Sequence, residues 1–178
     1  LRHLGLDTNH VESTGVEHLA DSEHLHDLRS LDLVLNQIGD RGAVALAKSP
    51  ILSKVEKLWL PDNDISAVGA RALAGSPYLS KVRELSLSRN RLGDEGAVAI
   101  ATSPHMRRLE QLRLARTQVG DRGATALVES LAGSHPMWLH LEGNQITSAG
   151  AQALSKMPQL ARFVFLSLYG NDIDEAGG

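Results

Sequence analysis

Eight residues carry the side chains most able to do chemistry: Asp32, Trp59, Arg89, Arg113, Arg116, His140, Glu142 and Tyr169. None belongs to a nucleophile elbow, a glycine-rich phosphate loop or a zinc-binding helix motif, so catalytic residues are not expected. Their types are those that anchor protein contacts. Aromatic rings bury large areas and keep a polar edge, and guanidinium groups bond carboxylates in pairs. Their spacing adds to this. Asp32, Trp59, Arg113 and His140 lie in a series with steps of 27 residues: Gly5, Asp32, Trp59, Ser86, Arg113, His140, Ser167. A second series reads Asp7, Val34, Pro61, Ser88, Ala115, Glu142, Tyr169. A third reads Thr8, Leu35, Asp62, Arg89, Arg116, Gly143, Gly170. If each series is a column on one sheet face, the eight residues share one surface. The arginines then make a basic centre flanked by Asp32, Asp62 and Asp64, suited to an acidic or mixed-charge partner. The alternative is an ordinary solvated sheet face with Trp59 as an isolated exposed aromatic. Trp138 and Phe165 also fall at outward strand positions, where the alternative is that they cover the end of the core.

Other candidate sites are weaker. His24 and His26 stand two apart, but two ligands in a loop do not make a metal centre. Asp62-Asn63-Asp64 resembles a calcium loop only superficially, because the glycine and glutamate spacing is absent. Asp94 and Glu95 sit where a helix should start, and negative charge there suits the helix dipole. No metal and no cofactor are therefore expected.

The elements that position these residues follow from the same period. A polar landmark recurs at Asn9, Asn36, Asn63, Asn90, Thr117, Asn144 and Asn171. A glycine landmark recurs at Gly15, Gly42, Gly69, Gly96, Gly123, Gly150 and Gly177. A fixed period of this length indicates a solenoid. Seven repeats open at residues 1, 28, 55, 82, 109, 136 and 163, the sixth on Pro136 and the last cut short, in a single domain over 1–178. Within each, Leu85 and Leu87 alternate with Glu84, Ser86 and Ser88, which predicts a strand with one buried face. Ala43, Leu46 and Ala47 then share one helical face, and Ser49-Pro50, Ser76-Pro77 and Ser103-Pro104 stop the helices. One strand and one helix per repeat with parallel neighbours gives a right-handed α/β solenoid. Helices need about 8–10 Å of spacing and strands about 4.8 Å, which bends the stack by roughly 20–25° per step, strands concave and helices convex. The asparagines are expected to bond backbone groups of their own and adjacent turns, with Thr117 the weak rung and Asn90→Ala costing roughly 1–3 kcal/mol. The glycines are expected to let each helix start lie close to its neighbour.

The run Leu-x-x-Leu-x-Leu-x-x-Asn-x-Leu, as from Val82 to Leu92, resembles the leucine-rich repeat family over the whole chain. The stretch Ile38 to Ala47 is similar to its ribonuclease-inhibitor-like subclass, with a full helix outside. Asn stands where vertebrate inhibitors often carry Cys, and the Ser-Pro endings look more like bacterial members. The resemblance implies a horseshoe that binds another protein on its concave wall without catalysis. It leaves open a regulatory role like that of the GTPase-activating branch, or recognition on behalf of a larger effector or enzyme.

The bulk numbers agree with such a module. Net charge is −3, against nucleic-acid binding, and no apolar run reaches a membrane span. The chain has no cysteine, hence no disulfide framework. The cytoplasm is the favoured compartment, although cysteine usage alone does not select one. No polar capping repeat is visible at either end, so a fragment of a longer protein is expected, with self-association through the uncapped ends as a possibility.

Overall fold

The computed structural model describes residues 1–131 and 137–174. Seven strands, β1 (His3–Gly5), β2 (Ser30–Asp32), β3 (Lys57–Trp59), β4 (Glu84–Ser86), β5 (Gln111–Arg113), β6 (Met137–His140) and β7 (Phe163–Ser167), form one parallel sheet in chain order. Helices α1 (Glu12–Ala20), α2 (Gly39–Lys48), α3 (Ala67–Ala74), α4 (Gly93–Ala101), α5 (Asp121–Leu131) and α6 (Ser148–Ser155) alternate with them. The sheet is open, and the architecture is an α/β solenoid. Equivalent residues pair in register, Leu31 with Leu58, then Leu85, then Leu112.

Apolar periodicity builds the core. Leu58, Leu60 and Ile65 from the sheet side meet Ala70 and Leu73 from the helix side, all fully buried. Leu85, Leu87, Ala97 and Ile100 do the same one turn later. Each buried leucine or isoleucine stabilises by about 1.5–3 kcal/mol. The serine of each Ser-Pro stop does more than end a helix. Ser49, Ser76 and Ser103 donate to the carbonyls of Ala20, Ala47 and Ala74, at 2.5, 2.6 and 2.5 Å, one repeat back. Free helix-end carbonyls are thus satisfied by the next coil.

The asparagines form a row of cross-bonds. Asn90 Nδ2 donates to Leu87 O at 2.9 Å within its own turn and to Leu60 O at 2.8 Å in the preceding one. Its Oδ1 accepts from the N–H groups of Asn63 and Ile65, at 3.1 and 2.9 Å. Asn36, Asn63 and Asn144 repeat the scheme in whole or in large part, while Asn9, at the first turn, bonds only its own turn. Thr117 breaks the row. Its hydroxyl donates to Leu114 O at 2.6 Å and lies 3.2 Å from Asn144 Oδ1. Among the described residues it makes no bond back to the Asn90 and Leu92 N–H groups.

A third row caps the helices. The Asp94 carboxylate accepts from the N–H groups of Gly120 and Gly123 at the start of α5, at 2.7 and 2.9 Å. Asp94 therefore serves the next helix rather than its own, and Glu95 pairs with Arg71 at 3.0 Å. Asp40 caps α3 through Ser66 and Gly69, and Asp121 caps α6 through Thr147. This explains the glycines. A Cβ on Gly123 would stand 2.7 Å from Asp94 Oδ1 and 3.0 Å from Ala97 Cβ.

Three expectations need correction or fall outside the described residues. The opening slot placed at Pro136 is undescribed, as is Gly177, and the buried residue at the start of β6 is Met137. Met137 pairs with Phe163 and Trp138 with Phe165, so Val164 bulges out to 55% exposure and the last interval is not perfectly regular. The series from Thr8 to Gly170 is not a strand column. All its members have positive φ, 54–71°, and form a left-handed turn just before the Asn landmark.

Candidate functional site

The sheet face away from the helices carries the candidate residues, with β2 to β7 and the turns that follow them as scaffold. Strands place Asp32, Trp59, Arg113 and His140 in one register row. Ser86, between Trp59 and Arg113 in that row, is buried rather than outward-exposed. Turns place Arg89 and Arg116, because φ of 58° and 55° swings each side chain off the strand line.

Charge is distributed less simply than the columns suggested. Arg89 is tied to Asp62 at 2.9 Å and Arg91 to Asp64 at 2.6 Å. The basic centre is therefore not a cluster of free arginines. Ion pairs of lysine and arginine join neighbouring repeats, among them Arg29–Glu56, Lys57–Glu84 and Arg83–Glu110. Such exposed pairs each contribute about 0–1 kcal/mol. Arg113 and Arg116 have no carboxylate in ion-pair reach among the described residues. With the Gln111 amide turned so that its carbonyl faces the cation, it accepts from Arg113 Nη2 at 3.0 Å and Nε at 3.3 Å. The guanidinium is held by a neutral group and keeps its charge uncompensated. Arg116 lies over Gly143, where a Cβ would meet its Cγ at 2.9 Å.

The C-terminal side of the face is aromatic. Trp138 and Phe165 stack with centroids 5.4 Å apart, and the His140 ring sits 5.0 Å from Phe165. Tyr169 is 84% exposed. The sequence columns place Trp138 and Phe165 outward, and reading them as covers for the core end left them out of the patch. The signal that could have included them is their shared register with Gln111, one strand apart at each step. Trp59 stands apart from this group, with Lys57 Nζ 6.0 Å from its ring centroid.

His140 Nδ1 and Glu142 Oε1 are 3.1 Å apart. Burial raises the Glu142 pKa, yet it ends below the ordinary carboxylate value. Its own backbone N–H, the Ser167 hydroxyl and His140 together outweigh desolvation. This dyad orients an imidazole but presents no nucleophile. Among the described residues, no three His, Asp or Glu side chains converge on a metal position, and His24 and His26 are exposed. No helix of the described residues is long and apolar enough to cross a membrane.

A family model described as leucine-rich repeat matches residues 24–47, 78–101, 105–128 and 139–155, half of the chain. The chain belongs to the leucine-rich repeat family. Leucine-rich repeats are in general non-catalytic scaffolds for binding other proteins. No curated protein matches the chain. Among solved structures, it is similar to a plant ice-binding protein at 15% identity and a TM-score of 0.27, over 88% of this chain and 68% of that one. A likeness that low carries no argument about this leucine-rich repeat chain.

Proposed function

We propose that this leucine-rich repeat chain is a single interaction module that grips another protein on its open sheet face and performs no catalytic step. The observation that supports this most is the company kept by Arg113 and Arg116. Elsewhere on the sheet side, cations such as Lys57, Arg83 and Arg89 are matched by carboxylates of the next or previous repeat. Among the described residues these two are not, and Arg113 lies on the strand next to the one that carries the exposed Trp138 ring, the combination of residue types enriched at interface hot spots. The partner is a protein with an acidic or mixed-charge surface, not nucleic acid or membrane. The patch comprises Asp32, Trp59, Arg89, Arg113, Arg116, His140, Glu142 and Tyr169, with Arg89 contributing through its pair with Asp62. The outer helix in each of the first six repeats fits the ribonuclease-inhibitor-like subclass.

Quantitative affinity capture with wild-type protein, a Trp59→Ala/Arg113→Glu variant and an outer-face Arg41→Glu variant tests the proposal. Partners should be lost with the first variant and kept with the second. Equal capture by all three would remove the sheet face as the binding surface.

A further inference from the structure

We infer that the β5–β7 part of the sheet recognises an extended peptide segment bearing a carboxylate and an aromatic side chain two residues apart. The inference rests on the sheet-face reading above and adds the chemistry of what is held. Three observations converge. With the Gln111 amide turned so that its carbonyl faces the cation, the Arg113 guanidinium is drawn back over Gln111, at 3.0 and 3.3 Å. Gln111 pairs with Trp138, and Trp138 with Phe165, so the cation and the two rings occupy one row across neighbouring strands. The rings stack on one another at 5.4 Å and are 42% and 37% exposed, so an aromatic shelf stands open beside a cation that has no carboxylate partner among the described residues.

The spacing selects the ligand. Parallel strands lie about 4.8 Å apart, so the centre of the Trp138–Phe165 shelf is one and a half steps, about 7 Å, from the cation over Gln111. In an extended chain, side chains on one face recur every two residues, at about 6.6 Å. A carboxylate at one position and a ring at the second position along thus meet both features together. The carboxylate forms charge-assisted bonds to a guanidinium with no competing acid. The ring packs across the exposed edges of the two stacked rings, over the centre of the pair. Arg116, also lacking a carboxylate, accommodates a further acidic residue in the same segment. A sugar would use the ring faces, but it would leave both cations unmatched, and the peptide is favoured for that reason.

The test is fluorescence anisotropy of dye-labelled decapeptides in a Ser/Thr background with purified full chain. The probes carry Glu-Ser-Phe, Glu-Phe, Gln-Ser-Phe or Lys-Ser-Phe, and a set of neutral oligosaccharides is followed by Trp emission. Glu-Ser-Phe should bind, with Glu-Phe and Gln-Ser-Phe weaker by about tenfold or more. Phe165→Ala and Arg113→Gln, both at exposed positions, should each reduce Glu-Ser-Phe affinity by about the same factor, with unchanged thermal melts showing that the fold is retained. Arg113→Glu should shift preference toward Lys-Ser-Phe. Absence of peptide binding, binding indifferent to spacing or charge, or a response to oligosaccharides alone would each overturn the inference. If capture of a protein partner still depends on Trp59 and Arg113 while every peptide is silent, this inference fails and the module reading stands. Loss of both removes both.

Discussion

Replacing Thr117 by Asn should make the protein more stable, an unusual outcome for a buried polar substitution. At Asn63 and Asn90, one amide oxygen accepts two N–H groups of the preceding turn, as Asn90 Oδ1 does from Asn63 and Ile65. Thr117, fully buried, has no such oxygen to offer Asn90 and Leu92. The variant restores two bonds and keeps the link to Leu114 O through its amide nitrogen, as Asn90 bonds Leu87 O. Two net bonds at about 0.5–1.5 kcal/mol each predict a gain of about 1–3 kcal/mol. For a chain of this size that is a Tm rise of roughly 3–10 °C. Asparagine already fits the same slot in the neighbouring turns, so overpacking is small. Urea melts give the total, and amide exchange resolved by NMR locates it. Protection should rise most at Asn90 and Leu92. Thr117→Val, which keeps the shape and loses the Leu114 bond, should fall by about 1 kcal/mol. If Thr117→Asn is neutral or destabilising and those two amides exchange as before, the cross-bonds are not what ties the coils together.

Asn90→Ala strips acceptors from Asn63 and Ile65 and donors from Leu60 and Leu87, which raises the cost expected from sequence to about 2–4 kcal/mol in urea melts. Gly123→Ala forces a methyl against the Asp94 carboxylate and should cost about 1–3 kcal/mol; Asp94→Ala should relieve part of that penalty in the double variant. Glu142 should titrate below the ordinary carboxylate range by NMR, and Ser167→Ala should move its midpoint upward. Because the folded-state value is depressed, the stability Glu142 contributes is present above the ordinary carboxylate pKa. It fades as pH falls through the depressed one. A Glu142→Gln variant should therefore narrow its stability gap to wild type in acid.

The repeat, its strand and its helix were legible because burial leaves a period. Leu85 and Leu87 alternate, and Ala43, Leu46 and Ala47 share a helical stripe. What did not show in the letters is how far each coil is offset against its neighbour. Ser49 reads as the partner of Pro50, and only the stacking brings its hydroxyl to Ala20. Asp94 reads as a charge for its own helix, and the offset delivers it to α5 instead. The pairing of Arg89 with Asp62 was in principle visible, since opposite charges 27 residues apart must face each other in a parallel register. Column-by-column reading overlooked it by comparing residues down a series and not between adjacent members. The bulge at Val164 left no such mark, because the spacing of Trp138 and Phe165 stays at one full repeat.

The central claim is that the sheet face, and not the helix face, meets the partner. A photo-crosslinking residue placed at Arg116 or Tyr169 should trap the captured partner on irradiation, while the same residue at Val68, exposed on α3, should not. Crosslinks from Val68 with none from the two sheet-side positions would contradict the account.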